Sequence, residues 1–183
     1  MSVRLAALLV CCACGHAAAP SPRAPSGDAR SEIEQAETAE KARQHDVARV
    51  HYQHAVAQAH DPASIAFVRR AYGETLATWG EFPEALSQYE GSLAANPGDA
   101  SAWHDVGLLR HKLGDTAGAI VALEHARSLA PRDFRPRVAL AALRWKTGDR
   151  PGAVTEYRGL LELDLPERLR GKVQWALGEL AKP

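Results

Sequence analysis

Five columns of residues recur at a spacing of 34, and no other feature of this 183-residue chain constrains its fold as tightly. Gly80, Gly114 and Gly148 are 34 apart, and each is followed by an acid, Glu81, Asp115 or Asp149. Ala85, Ala119 and Ala153 keep the same step, as do the aliphatic residues after them, Leu86, Ile120 and Val154. Tyr72, Val106 and Leu140 follow suit, each with a small neighbour in Gly73, Gly107 and Ala141. Pro97 and Pro131 complete the register. A fixed period of this length marks a stacked array, because one such unit cannot bury its own apolar face.

Each unit holds two apolar-periodic segments joined by a Gly-acid turn. The glycine predicts a left-handed helix C-cap, and the acid is placed to cap the next helix and favour its N-terminal dipole. Pro83 and Pro151 fall at the first turn of second helices, where a missing N–H costs nothing. Gly73, Gly107, Ala85 and Ala119 let paired helices approach closely. The spacing predicts helix pairs near 31–43/46–59, 64–79/83–95, 100–113/116–129 and 134–147/151–163. Leu169, Val173, Ala176, Leu177 and Leu180 predict a covering helix near 167–181.

The period and residue types resemble the tetratricopeptide repeat. One unit reads Trp103, Val106, Gly107, Gly114, Asp115, Ala119, Ala126 and Pro131, with Arg110 where that family usually has Tyr. The resemblance implies an all-α, right-handed α-solenoid of antiparallel helix pairs with a C-terminal capping helix. It spans full repeats at 66–99, 100–133 and 134–166 and a degenerate one at 29–62, all within a domain over 31–183. In the degenerate unit Ala48, Tyr52 and Ala55 keep the spacing, its turn lacks Gly, and a three-residue insertion around Asp61-Pro62 separates it from the next.

The resemblance also implies that the first helix of each pair lines a concave groove for a peptide or partner protein. Register places Phe67, Arg70 and Glu74 there, then His104, Leu108, His111 and Lys112, then Arg135, Val138, Ala142, Trp145 and Lys146. Mixed cationic and aromatic surfaces suit protein ligands. The Lys/Asn set with which some members clamp a C-terminal carboxylate is not reproduced. Charge is uneven: Ser31–Asp99 carries five Lys/Arg against eleven Asp/Glu, and Ala100–Pro183 carries fourteen against ten. That polarity can orient a partner or a second copy.

Residues 1–14 carry one early charge, Arg4, and then a short apolar run, which reads as an export signal too short for a membrane anchor. The Ala13-Cys14-Gly15 junction resembles a bacterial lipoprotein signal, with Cys14 as the lipidated residue and Cys12 as an alternative. A plain cleaved signal cut near Ala17–Ala19 is a further reading. Residues 15–30, rich in Ala, Pro, Ser and Gly, read as a disordered linker.

The three cysteines all lie in that leader, so none is expected to act in the folded body. Lys plus Arg and Asp plus Glu balance at 22 each, which argues against nucleic-acid binding. No nucleotide loop, metalloprotease helix or nucleophile elbow is present. His51 and His54, flanked by His45 and His60, form the one suggestive cluster, and solvated helix residues explain them better than a metal site. The sequence therefore reads as a non-enzymatic interaction module of a bacterial cell envelope, lipid-anchored and without cofactor. A soluble adaptor lacking the anchor and a His-based metal-binding protein are the alternatives.

Overall fold

The computed structural model describes residues 27–182, so the export signal, Cys14 and most of the expected linker lie outside the described residues. Nine helices and no strands make up those residues: α1 (Asp28–Lys41), α2 (His45–Gln58), α3 (Pro62–Trp79), α4 (Phe82–Ala95), α5 (Ala100–Lys112), α6 (Thr116–Leu129), α7 (Phe134–Lys146), α8 (Arg150–Leu161) and α9 (Glu167–Leu180). Each expected helix is present within three residues of its expected ends. The expected linker gives way early: α1 begins at Asp28, and its buried Ala29 belongs to the helix face that packs.

Helices pack chiefly on their pair partners and then on the next helix in the chain, so the array is nearly one-dimensional. Gly80, Gly114 and Gly148 take φ of 87°, 91° and 85° and end α3, α5 and α7 as left-handed caps. Asp115 and Asp149 then accept hydrogen bonds from the Gly118 and Gly152 amides, at 2.8 and 2.9 Å. Glu81 does not cap α4; its carboxylate pairs with Arg49 at 2.6 Å. First helices have their own caps. Asp61, Asp99 and Asp133 accept from the amides of Ser64, Ser101 and Arg135, and Asp99 also from that of Ala102.

Buried small residues set the pair spacing. A Cβ on Gly107 would sit 2.6 Å from Leu123 Cγ, and one on Gly73 would sit 3.0 Å from Tyr89 Cδ2. At the C-terminal end Leu160, Leu165 and Val173 form a buried cluster that α9 closes.

Candidate functional site

Register along the first helices defines the candidate surface. Glu37, Glu74, Leu108 and Ala142 occupy equivalent places on α1, α3, α5 and α7. All four are exposed. In α9 the buried Val173 and Ala176 match Leu140 and Leu143 of α7, which puts Trp175 in the same row. One turn further on, Glu40, Ala77, His111 and Trp145 form a second row. Three of these face the first row of the following unit. Glu40 and Glu74 line one cavity, Ala77 and Leu108 line another, and the Trp145 and Trp175 rings lie 6.2 Å apart.

The first cavity, about 780 Å³, lies among α1, α2 and α3. Glu37, Glu40 and Glu74 line it with Lys41, and Tyr52 and Trp79 supply aromatic walls. His45 stacks on Trp79 with ring centroids 4.6 Å apart. Tyr52 is buried and its hydroxyl accepts a hydrogen bond from Thr75 Oγ1 at 3.1 Å. Burial, followed by the negative field of Glu40 and Glu37, pushes its phenol up to about 12, against the opposing pull of Thr75. Among the described residues, no Lys, Arg or His nitrogen lies within 4.0 Å of the Glu37, Glu40 or Glu74 carboxylates.

The second cavity, about 180 Å³, is more apolar: Ala77, Phe82, Tyr89, Leu108 and Leu109 line it with Asp105 and Lys112. Lys112 Nζ sits 4.5 Å above the Phe82 ring, a cation–π contact. Burial, with help from Asp105 and Glu74, raises the Tyr89 phenol.

The cations expected in the groove are all on first helices but not in one strip. Arg70 lies midway along α3, His104 and Arg135 lie in the first half of α5 and α7, and all three are matched by acids. Arg70 meets Asp99 at 3.6 Å, His104 Nδ1 lies 3.2 Å from Asp105, and Arg135 chelates Asp133 with its closest contact at 2.6 Å. Lys112 and Lys146 lie about one turn beyond the row of Leu108 and Ala142, and both are exposed. His111 is half-buried, and its Nδ1 has no hydrogen-bond partner among the described residues. Leu108 is 41% exposed. Phe67 is half-buried against the cluster of Ile33, Ala55 and Val68 rather than projecting freely. Trp145 is half-buried, with the Tyr157 ring edge-on to it and the Trp175 ring tilted beside it.

His51 Nδ1 lies 2.7 Å from Glu32 and His54 Nδ1 lies 3.7 Å from the same oxygen, so a carboxylate does approach this pair. Among the described residues, however, no three His, Cys, Asp or Glu side chains are arranged to hold a metal ion. Sequence reasoning missed Glu37, Glu40, Tyr52 and Trp79 as groove residues. The signal was present: a step of 37, the period plus the three-residue insertion, carries Glu37 and Glu40 onto Glu74 and Ala77.

No family model matches the chain. It is 37% identical over 81 residues to a TPR repeat-containing protein of Pseudomonas aeruginosa, covering 44% of this chain and 33% of that one. It is 31% identical over 74 residues to the PEX5-related protein of Homo sapiens, covering 40% of this chain and 12% of that one. The chain thus spans a third or less of the length of these relatives. Among solved structures it is similar to pilF of Pseudomonas aeruginosa, with a TM-score of 0.67 at 17% identity over 83% of this chain and 68% of that one. The crystal structure of MamA matches with a TM-score of 0.66 at 20% identity, over 74% and 77%. The fold is the tetratricopeptide-repeat solenoid. A further structure with this repeat, the first TPR of Spaghetti (RPAP3) bound to the HSP90 peptide SRMEEVD, has a TM-score of 0.56 at 20% identity, over 63% and 90%.

Proposed function

We propose that this tetratricopeptide-repeat array is a non-enzymatic interaction module that receives a segment of a partner protein along its first helices. The observation that carries the reading is the continuous row of exposed side chains on α1, α3, α5, α7 and α9, with two cavities set into it. Such a face buries nothing within the chain itself, yet it places Leu108, Trp145 and Trp175 where a partner can cover them. The structural neighbour bound to an HSP90 peptide supports peptide recognition by this kind of array.

The test is capture of partners by the full chain from extracts of its source cell, run beside Leu108→Glu and Lys146→Glu. Both changes lie on exposed positions and leave the helices intact. A partner retained by the native chain and lost with Leu108→Glu supports the groove; retention by both variants overturns it.

The envelope location rests on the sequence alone. We propose export and lipid attachment at Cys14, with the Pro/Ser/Ala-rich stretch after it giving the array reach from a membrane. Among the described residues no helix is long and apolar enough to cross a membrane. Cys14→Ser is expected to release the protein into the soluble envelope fraction. Unchanged sedimentation with membranes would reject Cys14 as the anchor.

A further inference from the structure

Along the candidate surface the chemistry changes in one direction. At the α1–α3 end, Glu37, Glu40 and Glu74 outnumber Lys41 in the lining of a cavity of about 780 Å³, and no Lys, Arg or His nitrogen of the described residues lies within 4.0 Å of the three carboxylates. At the α5–α9 end the equivalent row is Leu108, Ala142 and Trp175, with Trp145 beside it, and Trp175 is 63% exposed. The repeat region follows the same polarity, with six excess acids over Ser31–Asp99 (eleven against five) and four excess bases over Ala100–Pro183 (fourteen against ten).

We propose, resting on the groove reading above, that the partner segment has two parts: Lys or Arg side chains that enter the α1–α3 cavity, and apolar or aromatic side chains that cover Leu108, Trp145 and Trp175. Three physical arguments select this occupant. Glu37, Glu40 and Glu74 raise the local negative potential, so a guanidinium or ammonium gains where an acid is repelled. The aromatic walls, Tyr52 and Trp79, suit the alkyl stem of a long basic side chain, which packs apolar surface while its charged head meets carboxylates. An acidic segment, such as the SRMEEVD peptide bound by the structural neighbour, would place its Glu and Asp against these three carboxylates. The apolar end has the complementary logic: a ring or aliphatic side chain laid on the Trp145–Trp175 pair removes apolar surface from water, the dominant favourable term in association.

The experiment is selection of short random displayed peptides on the native full chain, on the triple variant E37Q/E40Q/E74Q and on L108E. Circular dichroism checks that all three are equally helical. Native selection is expected to enrich Lys and Arg over Asp and Glu and to add Leu, Phe or Trp on one side of the basic cluster. The triple variant is expected to lose the basic enrichment, and a selected peptide is expected to bind it about tenfold more weakly, with less dependence on salt. Peptides that depend on Leu108 but carry no basic enrichment, or the same enrichment on the triple variant, overturn this inference and leave the groove reading standing. A selection with no peptide sensitive to L108E overturns both. Sedimentation of the native chain alone tests the remaining occupant. Concentration-dependent association abolished by E37Q/E40Q/E74Q would identify a second copy, through its basic C-terminal half, in place of a foreign partner.

Discussion

Arg43 shows what the degenerate first unit lacks. It takes φ of 57° between α1 and α2, the place that Gly80, Gly114 and Gly148 hold in later units, and it is exposed. A side chain in the left-handed region costs about 1 kcal/mol relative to glycine, so Arg43→Gly is expected to stabilise the fold by about 0.5–1 kcal/mol in chemical unfolding. Elsewhere two glycines lie under the far ends of long side chains. Arg69 lies across Gly91 and Arg137 across Gly159, where a Cβ would fall 2.8 Å from either guanidinium. In the unit between them Trp103 covers the same place by stacking on His125 at 4.6 Å. Arg137 also reaches Glu156, which is 2% exposed and takes a second ion pair from Arg127. Glu156→Ala removes the shared partner of two half-buried arginines. The expected loss is about 2 kcal/mol, below the range for fully buried pairs because both arginines retain solvent.

At the scale of the element, caps and cross-helix pairs repeat with the period. Arg110 on α5 reaches back to Glu90 on α4, and Arg144 on α7 reaches back to Glu124 on α6, each 20 residues upstream. The Arg at the family's Tyr position therefore ties one unit to the next. Asp133 and Asp149 are held below the usual carboxylate range, Asp133 chiefly by Arg135 and Asp149 chiefly by the Gly152 amide. A depressed folded-state pKa stabilises above the unfolded value of about 3.9, and that stability is lost as pH falls through the folded value. Replacing both with Asn keeps a capping acceptor but removes the titration. Thermal melts are then expected to fall less steeply with acidification below about pH 4. Helix positions were legible in the sequence because Gly, Ala and Pro columns report backbone and packing constraints directly. The groove's chemistry was only half legible. Phe67 has the register of a groove residue yet packs inward, and Arg70 and Arg135 are offset by Asp99 and Asp133, acids whose capping role hides in the turns after Pro97 and Pro131.

For the whole molecule, contacts between neighbours mean that stability is close to a sum of units and interfaces, and that each end needs its own closure. At the C-terminus α9 supplies Leu169, Val173 and Leu177 to the cluster around Leu160 and Leu165. Each such side chain contributes about 1.5–3 kcal/mol when fully buried. Polar contacts fix its angle: Arg170 donates to the Leu161 and Leu163 carbonyls at 3.3 and 3.1 Å, and Arg150 donates to the Leu180 carbonyl at 2.9 Å. Ending the chain before Glu167 removes all of this while leaving α3–α6 with their neighbours. Hydrogen exchange on the truncated chain is expected to show α7 and α8 losing protection by more than about tenfold, with α3–α6 changed far less. Equal loss through all helices would mean that the array opens as one cooperative body. Truncation also removes Trp175 from the aromatic pair with Trp145, so a partner that needs the apolar end of the groove should be lost even at temperatures where α3–α6 remain folded.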